Sequence, residues 1–494
     1  MGIVFKQSAK GTIYVYTGLI LGFITTGILF PRIYTTEQIG LLKIIVAYSS
    51  LIAILGTLGI NGATIRLFPW FRNEKRKHNG FLALAMLTGL AGFILTTILL
   101  IVLKPYMLST NIQKSPLVAS YFNYLIILVF FQIFFSILDN YNTALYNSVQ
   151  GTFLKEVFQR ILIIIFIGLF FFDIISFHQF VILYIVALCA PTVFIVFFLI
   201  REKQFSLKPD FQFLNKNLKK SVVTVSLFSI LNGFSLLAIQ NIDVIMVNSM
   251  IGLDYAGIYS ICFFFGAVIS MPARSISRIT GIVSADAWKN NDLNTIKNIY
   301  NKSCMTLFII GLLLFIGILA NIDNIFKIIG PEYLPGKWVI FFIALGNLID
   351  MATGANSSIF GTSIYYKVQS FFLMLLVVLI VAANIILIPR FGITGAAIGS
   401  AGALTLLNVM RYLFLYIKFG LQPYNKKFLF VILIGGASWF LTSLIPVMDN
   451  LIADIFIRCC TIAILYFLPI YFSGISEDIT ERTNDIIKWL KLKI

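Results

Sequence analysis

The sequence is poor in charge, in histidine and in long polar stretches, and each shortage excludes something. Only 12% of its 494 residues are charged, about half the share found in a soluble globular domain. A chain of this kind cannot cover itself with polar surface, so its solvent is lipid. The two histidines are His78, in a basic connection, and His178, at the edge of an apolar run. No nucleotide loop, zinc spacing, nucleophile elbow or Asp-x-Asp pair accompanies them, so the sequence carries no catalytic, metal or cofactor signal and does not read as an enzyme. The five cysteines (Cys189, Cys262, Cys304, Cys459 and Cys460) lie in or at the start of apolar runs. They lack metal or disulfide spacing and read as small packing residues. No polar stretch is long enough for a globular domain outside the membrane.

What is abundant is hydrophobicity: 59% of residues are apolar and the mean hydropathy is +0.95. A window of about 19 residues places six spans near 11–30, 42–65, 81–103, 119–144, 152–172 and 179–200. Eight more follow near 222–250, 256–279, 304–322, 338–360, 368–388, 394–417, 428–445 and 455–472. The expected fold is an all-α membrane protein of about fourteen transmembrane helices. The basic connection after span six divides it into an N-terminal six-helix lobe (1–200), a cytoplasmic linker (201–221) and a second six-helix lobe (222–418). Two additional helices (419–474) and an amphipathic cytoplasmic tail (475–494) complete it. Lys6 and Lys10 before span one give it a signal-peptide look, but the run is long enough to span and no small-x-small cleavage site follows, so it reads as a retained helix.

The net charge is +17. The cations fall in short connections rather than in patches interleaved with aromatics, which argues against nucleic acid and for a membrane surface. With the N-terminus inside, most lysines and arginines lie in the inward connections, among them Arg72, Lys75, Arg76, Lys77, Lys203 and Lys220. Fewer, such as Lys43, Lys104 and Arg458, lie in the segments assigned to the outside. That bias puts both termini in the cytoplasm.

A charge at mid-bilayer costs about 2.5–3.5 kcal/mol on insertion scales, so polar residues inside spans are candidates for function. Span four carries Gln132, Ser136, Asp139, Asn140 and Thr143 at helical spacing, and span ten carries Asn347, Asp350, Gly354, Ser357 and Ser358. Matching stripes suggest a wet cavity lined by both; interhelical hydrogen bonding is the alternative. Asn232 and Asp243 return to nearly one face of span seven. Asp243 reads either as a proton or cation site or as the partner of a neighbouring cation. Arg274 and Arg278 stand four apart on span eight, where two cations on one face call for an anion such as a diphosphate. Headgroup anchoring is the alternative for Arg278 and for Arg66, at the inner mouth of span two. Arg160 on span five is placed to pair with Asp139. Gly18 and Gly22 form a small-residue packing stripe.

Several stretches resemble the polysaccharide flippases of the multidrug/oligosaccharidyl-lipid/polysaccharide exporter superfamily. They are SAKGTIYVYTGLILGFITTGILFPRIYTTEQIGLL and LGTLGINGATIRLFPWF in the first half, and NIDVIMVNSMIGLDYAGIYSICFFFGAVISMPARSISRI and RFGITGAAIGSAGAL in the second. The resemblance spans the chain. It implies a MATE-like fold of two six-helix lobes that open alternately, and a cargo of lipid-diphosphate oligosaccharide. It also implies contact with membrane lipids, a coupling cation or proton at Asp243, and no cofactor. Relatives that flip peptidoglycan precursor carry arginines on helices one, two and eight. Here Arg66, Arg274 and Arg278 match, and span one has none inside it. A drug/cation antiporter of the same superfamily would need an acidic cavity. A polysaccharide polymerase would need a long catalytic outer loop, which this sequence lacks.

The topology is testable. Cysteines introduced as Lys203→Cys and Lys491→Cys are expected to stay unlabelled by a membrane-impermeant thiol reagent in intact cells and to react once the membrane is opened. Labelling of either from outside overturns the orientation.

Overall fold

In hydrocarbon the helix is the structure in which a single segment satisfies all its own backbone polar groups, and the apolar runs follow it. The computed structural model describes residues 2–111, 116–210, 213 and 215–476, with side chains for all of these except 2–9, 106–111, 275 and 278. Among the described residues there is no strand, and twelve helices are long and apolar enough to cross a membrane. The chain divides between Ser260 and Ile261 into two compact units.

In the first unit α1 (Gly2–Gly22) runs through a π-helical turn, Phe23–Leu29, into α2 (Phe30–Ile33). Helix α3 (Thr36–Gly56) opens on a capping box between Thr35 and Gln38, which satisfies two otherwise orphaned N–H groups. Leu58 and Gly59, both in left-handed conformations, separate it from α4 (Ile60–Phe71). There follow α5 (Phe81–Asn111), α6 (Pro116–Tyr121), α7 (Tyr124–Ala144), α8 (Ser148–Phe153), a second π-helical turn at Leu154–Phe158, α9 (Gln159–Phe171) and α10 (Phe177–Arg201). Then come α11 (Lys216–Met250), which already includes the end of the basic connection, and the first part of α12 (Leu253–Ala267). Helix α3 is central, packing on α7 and α11, while α7 packs on α10, α4 and α5. Gly59 is required: its φ is +72°, and a Cβ there would lie 2.0 Å from the Ser226 carbonyl oxygen on α11.

The second unit continues through a 3-10 turn at Val268–Ser270 into α13 (Met271–Lys289), α14 (Leu293–Ala320), α15 (Ile322–Ile329), α16 (Lys337–Ala352) and α17 (Asn356–Thr362). Helices α18 (Tyr366–Phe419), α19 (Lys426–Ser443) and α20 (Leu451–Phe472) complete it. A straight α18 of 54 residues would be about 80 Å long. It instead folds back at Gly392, where φ is 59° and ψ −139°. Gly399 then lies against Ala383 and Asn384, so α18 holds both predicted spans eleven and twelve. Predicted span five is assembled from α8, a π-helical turn and α9. These two facts reconcile twelve long helices with fourteen apolar runs.

The breaks recur. Span four ends at Tyr146 (φ 68°) before the short α8, and span ten at Gly354 (φ 59°) before the short α17. Span two breaks at Leu58 and Gly59, span eight at Val268–Ser270. The proposed amphipathic tail, 475–494, lies outside the described residues beyond Ser476.

One ion pair fixes the last two helices. Asp454 and Arg458, 1% and 6% exposed, stand one turn apart on α20, with Arg458 Nε donating to Asp454 Oδ2 at 2.8 Å. The same carboxylate accepts from Asn324 on α15 and from the Met448 N–H. Arg458 also donates to the carbonyls of Thr442 and Ile445 at the end of α19. The sequence reading placed Arg458 in an outer connection; it is buried because every one of these groups finds a partner here. Arg458→Met strands a buried carboxylate, and the expected loss is about 3–5 kcal/mol. It should appear as a lower melting temperature of the detergent-purified protein, partly restored in the Asp454→Leu/Arg458→Met double variant. An unchanged melting temperature for Arg458→Met overturns this account.

Candidate functional site

The polar stripe of span four is built into the first unit's helix contacts. On α7, Gln132 Nε2 donates to Ser49 Oγ of α3 at 3.0 Å, and Ser136 Oγ accepts from Asn61 of α4 at 2.8 Å. Asn140 turns back onto its own helix, donating to the Ser136 carbonyl at 2.7 Å. Asp139 is half-buried over α8, where a Cβ on Gly151 would lie 1.7 Å from its Oδ1. Among the described residues that oxygen has no hydrogen-bond partner.

The contacts of Arg160 differ from the Asp139 pairing expected from sequence. Its guanidinium donates to Glu156, one turn back, at 2.8 Å and to the Gly18 carbonyl of α1. The local i,i+4 geometry and an open carbonyl at a glycine outcompete the more distant acid. Lys155 is the cation that acts on Asp139, and its Nζ lies 5.6 Å from the centre of the Phe135 ring.

Also in the first unit, Asp243 of α11 is 3% exposed and accepts a hydrogen bond from the Tyr259 hydroxyl of α12 at 2.6 Å. Asn232 is half-buried on the same helix, eleven residues earlier. Arg66 is exposed on α4. The break at Leu58 and Gly59 takes it off the helix that carries Lys43 and Ser49, so predicted span two is not one continuous helix as far as Arg66.

In the second unit Asp350, near the end of α16, accepts from Asn408 Nδ2 of α18 at 2.8 Å. Asn408 Oδ1 in turn accepts from Thr353 and Asn356, both at 3.3 Å. One turn on from Asn408, buried Arg411 donates through Nε to Gln369 at 3.1 Å, and Gln369 donates to Ser357 at 3.3 Å. Two neighbouring sets of hydrogen bonds thus join α16 and α17 to the second arm of α18, and α17 to both arms of α18. Asn408 and Arg411 stand three apart in span twelve, but the tie of Asn408 to Asp350 is tertiary and has no sequence signal. Above it lies an apolar cavity of about 340 Å³ lined by Phe308, Leu312, Leu348, Asn408, Tyr412 and Tyr424.

Arg274 is exposed on α13, four residues past the 3-10 turn. Among the described residues no carboxylate pairs with it. The side chain of Arg278 lies outside the described residues.

Residues 8–278 match the family model described as "Polysaccharide biosynthesis protein". An uncharacterised membrane protein of Methanocaldococcus jannaschii is 22% identical over 470 residues, covering 89% of this chain and 88% of the relative. Among solved structures, the lipid II flippase MurJ in an inward closed conformation superposes with a TM-score of 0.74 at 14% identity, covering 93% of this chain and 97% of that one. An inward-facing multidrug resistance MATE transporter of the MOP superfamily superposes with a TM-score of 0.62 at 15% identity, covering 85% and 94%. At these identities the likeness is one of fold.

The Asp243 contact yields a stability test. Tyr259→Phe removes one donor from a buried carboxylate, and the expected cost is about 1–3 kcal/mol, read as a fall in the melting temperature of the purified protein. A variant that melts with the wild type denies the bond its role.

Proposed function

The chain belongs to the polysaccharide biosynthesis protein family, and on that premise we propose that it flips polyprenyl-diphosphate-linked oligosaccharide repeat units across a bacterial cytoplasmic membrane, by alternating access, for surface polysaccharide assembly. It is a multi-pass membrane transporter or flippase, with MurJ-like and MATE-like architecture, rather than an enzyme. The observation that carries the finer reading is Arg274. It is an exposed arginine at the end of the candidate span Leu253–Arg274, past a helix break, with no carboxylate partner among the described residues.

An anion crossing a low-dielectric barrier needs cations along its route, because desolvation alone costs many kcal/mol. A guanidinium meets phosphate oxygens with two parallel hydrogen bonds. The acids weigh against a cationic drug as cargo. Asp243 and Asp350 each already accept a hydrogen bond, from Tyr259 and from Asn408, which suits a proton or a single small ion better than a bulky cationic drug. In this reading Arg66 and Arg278 are further cargo contacts, and Asn232, Asp139 and Asp350 face the sugars. Asp243 is the coupling site for a proton or cation, and both termini are cytoplasmic.

Export of surface polysaccharide by a strain lacking the native protein tests this, with membrane levels checked by immunoblot. Arg274→Ala is expected to lower export at least tenfold at normal protein level, and Arg274→Lys to retain part of it, since it keeps the charge and loses the planar fork. Full export by Arg274→Ala removes the anchor of the proposal.

A further inference from the structure

The cavity beside Asn408, in the second unit, has a mouth. Its walls come from α14, α16, the second arm of α18, α19 and the connection between the last two. Helix α18 packs on α16, and α19 packs on α14 and α20. Among the described residues α18 and α19 hardly touch each other, although the short connection 420–425 joins them. The mouth is the gap between them: Val409 of α18 and Ile432 of α19 line the cavity and are nevertheless 45% and 51% exposed. Around them Leu406 and Leu413 on α18, and Leu429 and Leu433 on α19, extend an exposed apolar surface. In a chain that spans a membrane such a surface meets hydrocarbon, so the cavity opens sideways toward lipid tails.

Protein interiors pack to the density of organic crystals, with few voids larger than a water molecule. At about 340 Å³ this cavity enters the range of small-molecule pockets, about 300–1,000 Å³. Its inner wall of Phe308, Leu312 and Leu348 gives water no hydrogen-bond partner, so hydrocarbon fills it better than water does. The polar groups gather at one end. Tyr412 and Tyr424 line the cavity there with ring centres 5.2 Å apart, and the Tyr412 hydroxyl donates to Gln422 of the connection. Tyrosines of this kind mark headgroup depth. Lys418, Lys426 and Lys427 are exposed at the same end, and the stretch 411–448 holds no aspartate or glutamate. Lys427 also donates to the Ile475 carbonyl at 3.2 Å. The mouth is roughly 9 Å along α19 from Lys426 to Ile432, and roughly 13 Å along α18 from Lys418 to Val409. Half of the hydrocarbon layer is about 15 Å, so a lipid whose phosphate meets these lysines has its chains at the depth of the mouth.

We propose that this cavity is a phospholipid site: it takes one acyl chain of an anionic phospholipid, which enters sideways between α18 and α19 with its phosphate against the basic connection. The site lies wholly in the second unit and does not depend on what cargo the chain moves. The acyl chain supplies the packing that α18 and α19 do not give each other, so the bound lipid ties α19 to the helices beside it. The three lysines select the headgroup. They attract a net negative charge, whereas a zwitterionic headgroup brings a cation of its own among them.

The test uses the full chain, purified in detergent and stripped of lipid. Palmitoyl-oleoyl phosphatidylglycerol, the matching phosphatidylcholine and geranylgeranyl diphosphate are added separately, and bound lipid is counted by native mass spectrometry. Wild type should retain one phosphatidylglycerol per chain and much less phosphatidylcholine. Ile432→Trp and Val409→Trp plug the mouth at exposed positions, and each should lower retention at least tenfold. Leu429→Trp, on the same exposed face but outside the cavity lining, should retain lipid as wild type does, which separates a plugged site from a disturbed helix. The Lys418→Gln/Lys426→Gln double variant should lose the preference for phosphatidylglycerol. Wild-type retention by both mouth variants overturns the site and leaves only lipid of the surrounding layer. Equal retention of the two phospholipids by wild type overturns the selection of an anionic headgroup. Retention of geranylgeranyl diphosphate without phosphatidylglycerol overturns the phospholipid and gives the cavity to a prenyl chain.

Discussion

Every charge carried into hydrocarbon must find an opposite charge, a set of dipoles or water, and the helices here are arranged around that demand. The Asp454–Arg458 pair shows it in full. The carboxylate and the guanidinium together collect a side-chain amide, a backbone N–H and two carbonyls from α15, the end of α19 and the turn that follows it. The last two helices are thereby tied to the second unit by polar bonds as well as by apolar packing, whose driving force is weak among lipid tails. Glu156 and Arg160 meet the same demand differently, by borrowing a backbone carbonyl exposed at a glycine.

Interrupting a helix frees backbone groups, so each interruption needs a compensating partner. At span ten, Ser303 of α14 accepts from the Ala355 N–H at 3.0 Å, and Thr353 closes back onto the Asp350 carbonyl at 2.7 Å. At span four, the Asn147 carbonyl accepts from Asn142 at 3.2 Å. The interruptions place the ends of α7 and α16, with Asp139 and Asp350 near them, beside short helices instead of in continuous rods. Both are C-terminal ends, where the helix dipole disfavours a carboxylate, so Asp350 depends on the amide that Asn408 brings from α18.

The spans were legible because hydropathy over about 19 residues is a strong signal, and nearly every apolar run became a helix. The interruptions were not. A window that averages 19 residues is blind to two left-handed residues, and Leu58 and Tyr146 are not glycines that would have marked the turn. The matching stripes of spans four and ten were real as patterns, yet Gln132, Ser136 and Ser357 spend their polar atoms on neighbouring helices. Periodicity identifies the face and leaves open what the face meets. Two ion pairs could have been read, since Glu156–Arg160 and Asp454–Arg458 both stand at i,i+4 inside apolar runs, where that spacing favours pairing. Spacing alone does not choose their partners, since Arg160 also has the more conspicuous Asp139 to match and Arg458 lies near the start of its apolar run.

The partners of a charge separate scaffold from candidate function better than its depth does. Asp454 and Arg458 are among the most buried charges in the chain, yet their bonds account for them wholly, and nothing remains for a ligand to satisfy. Asp350 and Arg411 come next, each held by an amide that other side chains hold in turn. Lys43 and Arg274 are less buried: Lys43 lies over the Phe30 ring, and Arg274 is exposed with no carboxylate partner among the described residues. In the proposed reading, an anionic cargo gains more from an exposed arginine such as Arg274 than from the deepest charges, whose partners are already in place.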